Sequence, residues 1–243
     1  MKRNSTRQSL RRFRFFVILA RPENQENIGL VARCMKNTGF KNLRITGLNS
    51  VEEKAFIPAV HSRDVIRKAQ LYANVSDATD DLNLVFAATA KQRKNYPSLS
   101  FQSAIDRILH YSPAVRIGLL FGNERTGLTS EELKHSNFRF TIPQNQNQPS
   151  YNLSAAVLLT LFTLFTKEIP ESFLTEESPL SRREQNECIS IILDKLERKG
   201  FIHTTNKQHM TEAIYNLLGK CAMTDKDRRL FLALFSKGLS EIM

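Results

Sequence analysis

The sequence has few cysteines, and no two of them lie close together. Cys34, Cys188 and Cys221 are odd in number, widely spaced and form no Cys-x-x-Cys pair. This pattern indicates neither a disulfide framework nor a zinc cluster. The five histidines show no paired spacing either, so no metal site is predicted. A protein of the reducing cytoplasm fits these absences best.

Long apolar runs are also lacking. The longest nearly uncharged run, Leu153 to Phe165, falls short of the roughly 20 residues that a helix needs to cross a bilayer, so no membrane span is predicted. The run Phe15 to Ala20 follows basic residues, but it is too short for a signal peptide and is interpreted as a first buried strand. The chain has only 9 glycines and 8 prolines, which excludes collagen-like and low-complexity classes. With 41% hydrophobic residues it can bury a core, and we expect a soluble protein.

Acidic residues are absent from the first fourteen positions, which carry six Lys and Arg residues. The whole chain has a formal net charge of +11, and residues 1–171 hold 24 Lys and Arg against 14 Asp and Glu. A second basic cluster consists of Lys91, Arg93 and Lys94. Such clusters favour a polyanionic partner, because neutralising phosphates releases counterions. A tail that serves only solubility is an equally good explanation of the first ten residues.

The chain alternates short β-branched and aromatic runs with longer helical segments. The runs predict strands at Phe15–Leu19, Leu43–Thr46, Leu82–Ala88, Val115–Phe121 and Phe138–Ile142. The helices predicted between and after them are Ile28–Asn37, Ser62–Arg67, Phe101–Leu109, Ser130–Lys134 and Leu153–Thr166. Strands that are apolar on both faces and alternate with helices are typical of a parallel α/β sheet. The pattern alone predicts an open, doubly wound sheet.

The periodicity stops between Glu168 and Pro179, where prolines, serines and acids are frequent. Beyond this segment apolar residues recur at helical spacing, interrupted at Gly200 and Gly219. We therefore divide the chain into a basic tail (1–13), an α/β unit (14–168), a linker (169–180) and a helical extension of three helices (181–243).

Two loop segments that follow predicted strands carry polar residues. Gly122–Leu128 holds Glu124 and Arg125 between two glycines, a combination that a simple turn does not require. Its glycines have the P-loop spacing, but Leu128 stands where that motif needs its lysine, so nucleoside triphosphate binding is rejected. Asn24–Gly29 leads into a helix in which Asn27 is expected to act as the N-cap.

A third segment, Ile142–Ala156, is polar and uncharged and enters an apolar helix through small residues. Its lack of charge suits a neutral or cationic adenosine-type ligand better than a phosphate. A loop that ends in an Asn152 or Ser150 helix cap explains it equally well. Arg33, one or two turns into the first helix, is either a solvated arginine or a side chain directed toward the ligand loop.

In combination and in this order, the three segments resemble the three motifs of the SpoU/TrmH branch of SPOUT RNA 2′-O-ribose methyltransferases. The matching residues are Asn27-Ile28-Gly29 with Arg33, then Phe121-Gly122-Asn123-Glu124 with Gly127-Leu128, then Ile142-Pro143 with Ser150 to Ser154 and Ala156. The resemblance covers nearly all of residues 14–168. Within the branch the chain looks most like the TrmJ/LasT-type tRNA methyltransferases.

The resemblance implies a different fold from the open sheet that the pattern predicts. Family members have a deep C-terminal trefoil knot, in which the Ile142–Ala156 segment is threaded through a loop to form the cofactor pocket. It also implies a homodimer, S-adenosyl-L-methionine as cofactor, no metal, and tRNA as substrate, with the methyl group going to nucleotide 32 of the anticodon loop. An rRNA methyltransferase of the same family, and a noncatalytic RNA-binding protein with a decayed pocket, remain alternatives.

Functional residues are carried over motif by motif as implications of the resemblance. The catalytic residues would be Arg33, Asn27, Glu124 and Ser150. The cofactor would be held by Ala88, Thr89, Ala90, Gly122, Ile142, Ser150, Tyr151, Asn152 and Leu153. The RNA contacts are predicted from charge instead: Lys91, Arg93 and Lys94, which follow the Ala88–Ala90 loop, and Arg11 and Arg12 in the basic tail. A guanidinium stays protonated at ordinary pH, so we expect Arg33 to act as a clamp and not as a general base.

Overall fold

The computed structural model describes residues 14–90, 98–145, 147, 150–167, 178–219 and 221–237. The expected RNA contacts at Arg11, Arg12, Lys91, Arg93 and Lys94 lie outside these residues, as does most of the predicted linker.

Seven parallel strands form one sheet in the described part of the chain, in the order β3-β2-β1-β6-β4-β7-β5. The strands are β1 (Phe15–Ala20), β2 (Asn42–Thr46), β3 (Gln70–Tyr72), β4 (Leu84–Ala88), β5 (Leu99–Ser100), β6 (Ile117–Phe121) and β7 (Phe138–Thr141). Every residue of β1 and β6 is buried, because helices cover both faces of the sheet at its centre. The prediction of a parallel α/β fold is confirmed, and the knot remains a prediction.

Ten helices accompany the strands in the described residues. They are α1 (Gln25–Thr38), α2 (Phe56–Ala59), α3 (Arg63–Arg67), α4 (Val75–Thr79), α5 (Phe101–His110), α6 (Ser130–Lys134), α7 (Leu153–Thr166), α8 (Arg182–Arg198), α9 (Lys207–Leu218) and α10 (Asp225–Lys237). Short 3-10 turns at Glu53–Ala55 and Val60–Ser62 flank α2. Sequence patterns missed α2, α4 and the strands β3 and β5, all of which have five or fewer residues.

Two apolar cores lie on opposite faces of the sheet. The larger core packs α1, α5 and α7 against one face, and the smaller one includes residues of α4 and α6 on the other. Because strand residues alternate between faces, Val17 and Leu19 belong to the first core and Phe16 and Ile18 to the second.

Helices α8, α9 and α10 enclose a third apolar core of their own. They dock at the end of the sheet where the strands begin. The backbone N–H of Arg182 donates to the carbonyl of Leu82 (2.7 Å), and Asn137 Nδ2 donates to the carbonyl of Gly219 (2.9 Å). Burial lowers the pKa of the Arg182 guanidinium to about 10, and the group donates to the carbonyl of Lys134 (3.2 Å). The extension is therefore joined to the α/β unit through buried polar contacts.

Two basic residues in or near the first strands have structural partners inside the protein. The Arg14 guanidinium donates to the carbonyls of Ile108 (3.0 Å) and Tyr111 (2.7 Å) at the end of α5. The Arg44 side chain is buried and pairs with Asp81 at 2.6 Å. Part of the positive charge thus stabilises the fold and is not available to a polyanion.

Candidate active site

A cavity of about 370 Å³ opens where β4, β6 and β7 end. Carboxyl ends of parallel strands are the usual place for a ligand in an open α/β sheet. Of the residues predicted to hold a cofactor, all but Asn152 line it: Ala88, Thr89, Ala90, Gly122, Ile142, Ser150, Tyr151 and Leu153. The other lining residues come from the end of β6 and the turn after it (Phe121 and Asn123 to Leu128) and from the third segment (Gln144 and Ala156), and of these only Glu124 was assigned a role from the sequence.

The turn after β6 is held closed by its own backbone and side chains. A Cβ atom on Gly122 would lie 2.5 Å from Gly127 C and Leu128 N, so only glycine fits there. Asn123 Oδ1 accepts from the backbone N–H groups of Arg125 (3.0 Å) and Thr126 (2.9 Å). The rigid turn presents Glu124 to the neighbouring loop.

Glu124 joins this turn to the start of α1. Its carboxylate accepts hydrogen bonds from the backbone N–H groups of Glu23 (2.9 Å) and Asn24 (3.3 Å) and from Asn27 Nδ2 (2.8 Å). Burial by itself would raise the pKa of Glu124, but these hydrogen bonds outweigh it and hold the pKa below its usual value. The carboxylate is therefore ionised at neutral pH and lies at the positive end of the helix dipole.

Asn27 is not the N-cap that the sequence suggested. Asn24 takes that role, since its side chain accepts from the backbone N–H of Glu26 (2.9 Å). Asn27 lies inside the first turn, is 3% exposed, and accepts a hydrogen bond from Asn152 Nδ2 at 3.1 Å. Its amide thus connects Glu124 on one side with Asn152 on the other, which joins the three motif segments.

The third segment ends at the N-terminus of α7, where Asn152 is the N-cap and accepts from the backbone N–H of Ser154 (2.9 Å). Tyr151 OH donates to the carbonyl of Pro143 (2.9 Å), which ties the end of the loop to its beginning. On the opposite wall, the carbonyl of Thr89 accepts from Thr141 Oγ1 (2.9 Å). These contacts fix the backbone on both sides of the cavity.

Arg33 lies apart from this cavity. It is exposed on α1, and it is not one of the described residues that line the cavity. A position six residues after Asn27 faces a different side of the helix. The sequence left open whether Arg33 is a solvated arginine or is directed toward the ligand loop, and its role stays a prediction.

Arg21 is a residue of the site that sequence reasoning missed. It has a positive φ of 51°, its Nε pairs with Glu132 at 2.6 Å, and its Nη2 donates to the carbonyl of Gly127 (3.3 Å). Positive φ is uncommon outside glycine and marks a constrained backbone. Arg21 therefore stabilises the turn that follows β6, and a lone arginine after a strand carries no signal of that role.

The described residues contain no group of three or more His, Cys, Asp or Glu side chains placed to hold a metal ion. Within the same ranges, every helix is too short or too polar to traverse a bilayer.

Comparisons with known proteins agree with the geometry. The model of the SpoU rRNA Methylase family matches residues 14–162. A tRNA (cytidine-2′-O-)-methyltransferase TrmJ of Methanocaldococcus jannaschii is 28% identical over 90% of this chain and 97% of its own length. The Escherichia coli protein LasT, described as an uncharacterized tRNA/rRNA methyltransferase, is 31% identical over 63% of this chain and 68% of its own.

The crystal structure of TrmJ from Z. mobilis ZM4 superimposes with a TM-score of 0.78 and 25% identity, covering 91% of this chain and 97% of that one. The match therefore includes the helical extension as well as the sheet. Together with the family match over residues 14–162, it confirms the resemblance found from the three motifs. The chain belongs to the SpoU rRNA methylase family.

Proposed function

We propose that the protein is an S-adenosyl-L-methionine-dependent 2′-O-ribose methyltransferase of tRNA, acting on cytidine or uridine at nucleotide 32 of the anticodon loop. The observation that carries the proposal is the hydrogen-bonded series Glu124–Asn27–Asn152 beside the cavity. It connects all three motif segments, and we would not expect these hydrogen bonds to persist in a protein whose cofactor pocket had lost its function. The names of TrmJ relatives support tRNA as the substrate.

The cavity fits a cationic adenosine-type ligand. Its floor consists of small side chains and backbone, supplied by Ala88, Ala90 and Ala156 among others. Glu124 and Arg125 are the charged residues in its described lining, and Arg125 is turned outward to Glu23 at 3.3 Å. The ionised Glu124 therefore sets the charge of the cavity, which favours a sulfonium over a phosphate. When bound, S-adenosyl-L-methionine supplies an electrophilic methyl group.

We further propose that Arg33 acts in the site of a second subunit, which makes the homodimer a catalytic requirement. Arg33 is exposed and is not among the described residues that line the cavity of its own chain, so a second subunit offers the surface on which it acts. There its guanidinium would clamp the phosphate beside the target ribose and stabilise the developing alkoxide, while the proton leaves through phosphate or water. Ser150, which lines the cavity, would orient the hydroxyl.

The surface around Arg33 supports such an interface. Helix α1 packs against α7, whose outer face exposes Leu158, Leu159, Phe162 (54%) and Phe165, and against α2, where Ile57 is 73% exposed. A row of exposed apolar side chains of this size marks an interaction surface. A second copy buries this face and places Arg33 at its partner's cavity. The threading of residues 142–156 into a trefoil knot belongs to the same proposal.

The test of the activity is to map 2′-O-methylation in tRNA and rRNA from a strain that lacks the gene and from the complemented strain. We expect one tRNA position, nucleotide 32, to lose its methyl group in the deletion strain and to regain it on complementation. Loss at an rRNA position would instead identify the rRNA enzyme. Unchanged methylation throughout would contradict the proposal.

The test of the composite site is subunit complementation. Arg33→Ala removes the clamp, and Ala88→Phe fills the cofactor cavity, so each homodimer is expected to be inactive. When the two variants are mixed in equal amounts, half of the dimers are heterodimers, and each heterodimer has one intact site out of two. The mixture is therefore expected to show roughly a quarter of the wild-type methyl transfer. A mixture as inactive as its components would show that Arg33 acts within its own subunit.

The Arg33→Lys variant tests how the side chain acts. Methyl transfer by this variant at a near wild-type rate would contradict the bidentate clamp.

A further inference from the structure

A second cavity, of about 230 Å³, lies at the β7 edge of the sheet. β5 has only two residues, which pair with Phe140 and Thr141. Phe138 and Arg139 at the start of β7 pair with β4 on one side, do not pair with β5 on the other, and line this cavity together with residues of α9. The lining residues are Ser98, Leu99, Leu133, Lys134, Ser136, Asn137, Phe138, Arg139, Tyr215 and Asn216.

The walls of this second cavity combine aromatic rings with short polar side chains. The Phe138 ring is held in place by Phe86, at 4.9 Å between ring centroids, and by the Arg107 guanidinium at 4.8 Å. Tyr215 lines the cavity from α9, beside Asn216. Rigid aromatic surfaces with amide and hydroxyl groups nearby suit a flat heterocycle with polar edges.

The charge of the cavity is positive. Lys134 and Arg139 are its charged residues, and the described lining contains no Asp or Glu. Lys134 pairs with Glu131 outside the cavity, but Glu131 is largely exposed and the pair is weak. An anionic group attached to the heterocycle is therefore favoured.

One strand separates this cavity from the proposed cofactor site. The backbone N–H of Thr89, in the first cavity, donates to the carbonyl of Phe140 (2.9 Å), while Leu99, in the second, pairs with Phe140 from the other side. The two cavities are therefore lined by residues that pair with the same strand residue.

We propose that the second cavity binds one unstacked nucleotide of the RNA substrate, away from the nucleotide that is methylated. The base contacts Phe138 and Tyr215, and its phosphate contacts Lys134 and Arg139. The inference rests on the proposed function, because it takes RNA as the ligand. It assigns α9, and with it the helical extension, a direct part in substrate binding.

The experiment compares the full chain with Tyr215→Ala, Tyr215→Phe and Arg139→Gln variants. The readouts are anisotropy with a fluorescein-labelled unmodified tRNA transcript, titration calorimetry with S-adenosyl-L-methionine, and methyl-transfer kinetics. Loss of one stacking surface is expected to raise the Kd and KM for RNA about tenfold in Tyr215→Ala, with kcat and cofactor affinity unchanged. Arg139→Gln is expected to raise the Kd and KM for RNA to a similar extent. It should also reduce the slope of log affinity against log salt concentration by about one. Tyr215→Phe keeps the ring and should behave as wild type.

Lys207→Gln is the matched control, because it removes an exposed charge from the far end of the same helix. Since Tyr215 also packs on the third core, a second measurement uses unaltered protein. A transcript containing 4-thiouridine is crosslinked to it, and adducts are expected in peptides 133–139 or 207–218. RNA affinity unchanged in both Tyr215→Ala and Arg139→Gln, or no adduct in either peptide, overturns the inference. Wild-type protein that crosslinks there but transfers no methyl group contradicts the proposed function instead.

Discussion

At the scale of single residues, the protein uses charged side chains mainly as structural connectors. Arg44 is 2% exposed, yet it donates two hydrogen bonds to Asp81, at 2.6 and 2.9 Å, and it lies over the Phe16 ring. Arg116 reaches the same carboxylate at 2.5 Å. Burial by itself would raise the pKa of Asp81, but the hydrogen bonds and charges of the two arginines bring it below its ordinary value.

Asp81→Asn is therefore expected to destabilise the protein. It leaves the buried Arg44 without a counter-charge, at a cost of about 2 kcal/mol once the partial exposure of Asp81 is allowed for. Urea unfolding at pH 7 measures the loss. Asp64→Asn is the control, because its exposed pair with Lys36 (2.6 Å) should contribute about 0.5 kcal/mol or less.

The direction of the Asp81 pKa shift determines how the stabilisation by this ion pair depends on pH. Because the folded-state pKa of Asp81 is lowered, its stabilisation is complete above the unfolded pKa of about 4 and is lost as the pH falls through the folded value. The difference in unfolding free energy between wild type and Asp81→Asn should thus shrink below about pH 4. A difference that stays constant down to pH 2 would contradict the assignment.

At the scale of elements, α1 is the helix on which the site depends. It carries Asn24 and Asn27 at its start and Arg33 on its outer face, and it packs against α7 and α2. The contact with α2 is close because Gly29 has no side chain. A Cβ on Gly29 would lie 2.0 Å from the carbonyl oxygen of Ala55 and 2.7 Å from Pro58 Cγ.

Gly29→Ala tests this contact. In an isolated helix the change would stabilise by about 1 kcal/mol, but here the clash is with backbone and must move α1. We expect a net loss of about 2 kcal/mol in unfolding free energy and weaker cofactor binding, since Asn27 moves with the helix. Asn37→Ala, on the exposed side of α1, is the matched control and should be neutral or slightly stabilising. A Gly29→Ala protein that is more stable than wild type would show that α2 can move away from α1 at little cost in free energy.

At the scale of the whole molecule, the helical extension belongs to the folded unit. Asn137 Oδ1 accepts from the backbone N–H of Val85 (2.9 Å) in β4, and its Nδ2 donates to Gly219 (2.9 Å). Asn83 Nδ2 donates to the carbonyl of Pro179 (2.6 Å). Buried polar groups joined in this way resist separation, because each broken contact leaves an unsatisfied donor or acceptor.

Asn137→Ala should therefore loosen α8, α9 and α10 together. We expect a loss of about 2 kcal/mol in unfolding free energy and faster amide hydrogen exchange throughout the extension. Asn206→Ala is the control, since Asn206 bonds only the local turn at Phe201 (3.1 Å) and His203 (2.8 Å). Exchange that accelerates around residue 137 alone would indicate that the extension is held by its other contacts.

The sequence by itself determined what depends on neighbouring residues along the chain. Five strands and the long helices follow from local patterns, and so does the capping box that Thr129 and Glu132 form at the start of α6. The three motif segments were also recognisable, because each is continuous in the chain. The shortest elements were not, since a two-residue strand such as Leu99–Ser100 has no period to detect.

Only the tertiary structure decided which groups meet. The sequence predicted Asn27 as the N-cap of α1, but Asn24 has that role, and Asn27 instead bonds Glu124 and Asn152. Which residues of α1 stay exposed, Arg33 among them, likewise depends on the packing of α7 and α2 against this helix. The cavity at the β7 edge exists only because β5 is short and α9 packs beside it. Such outcomes depend on contacts between residues far apart in the chain, which no local pattern records.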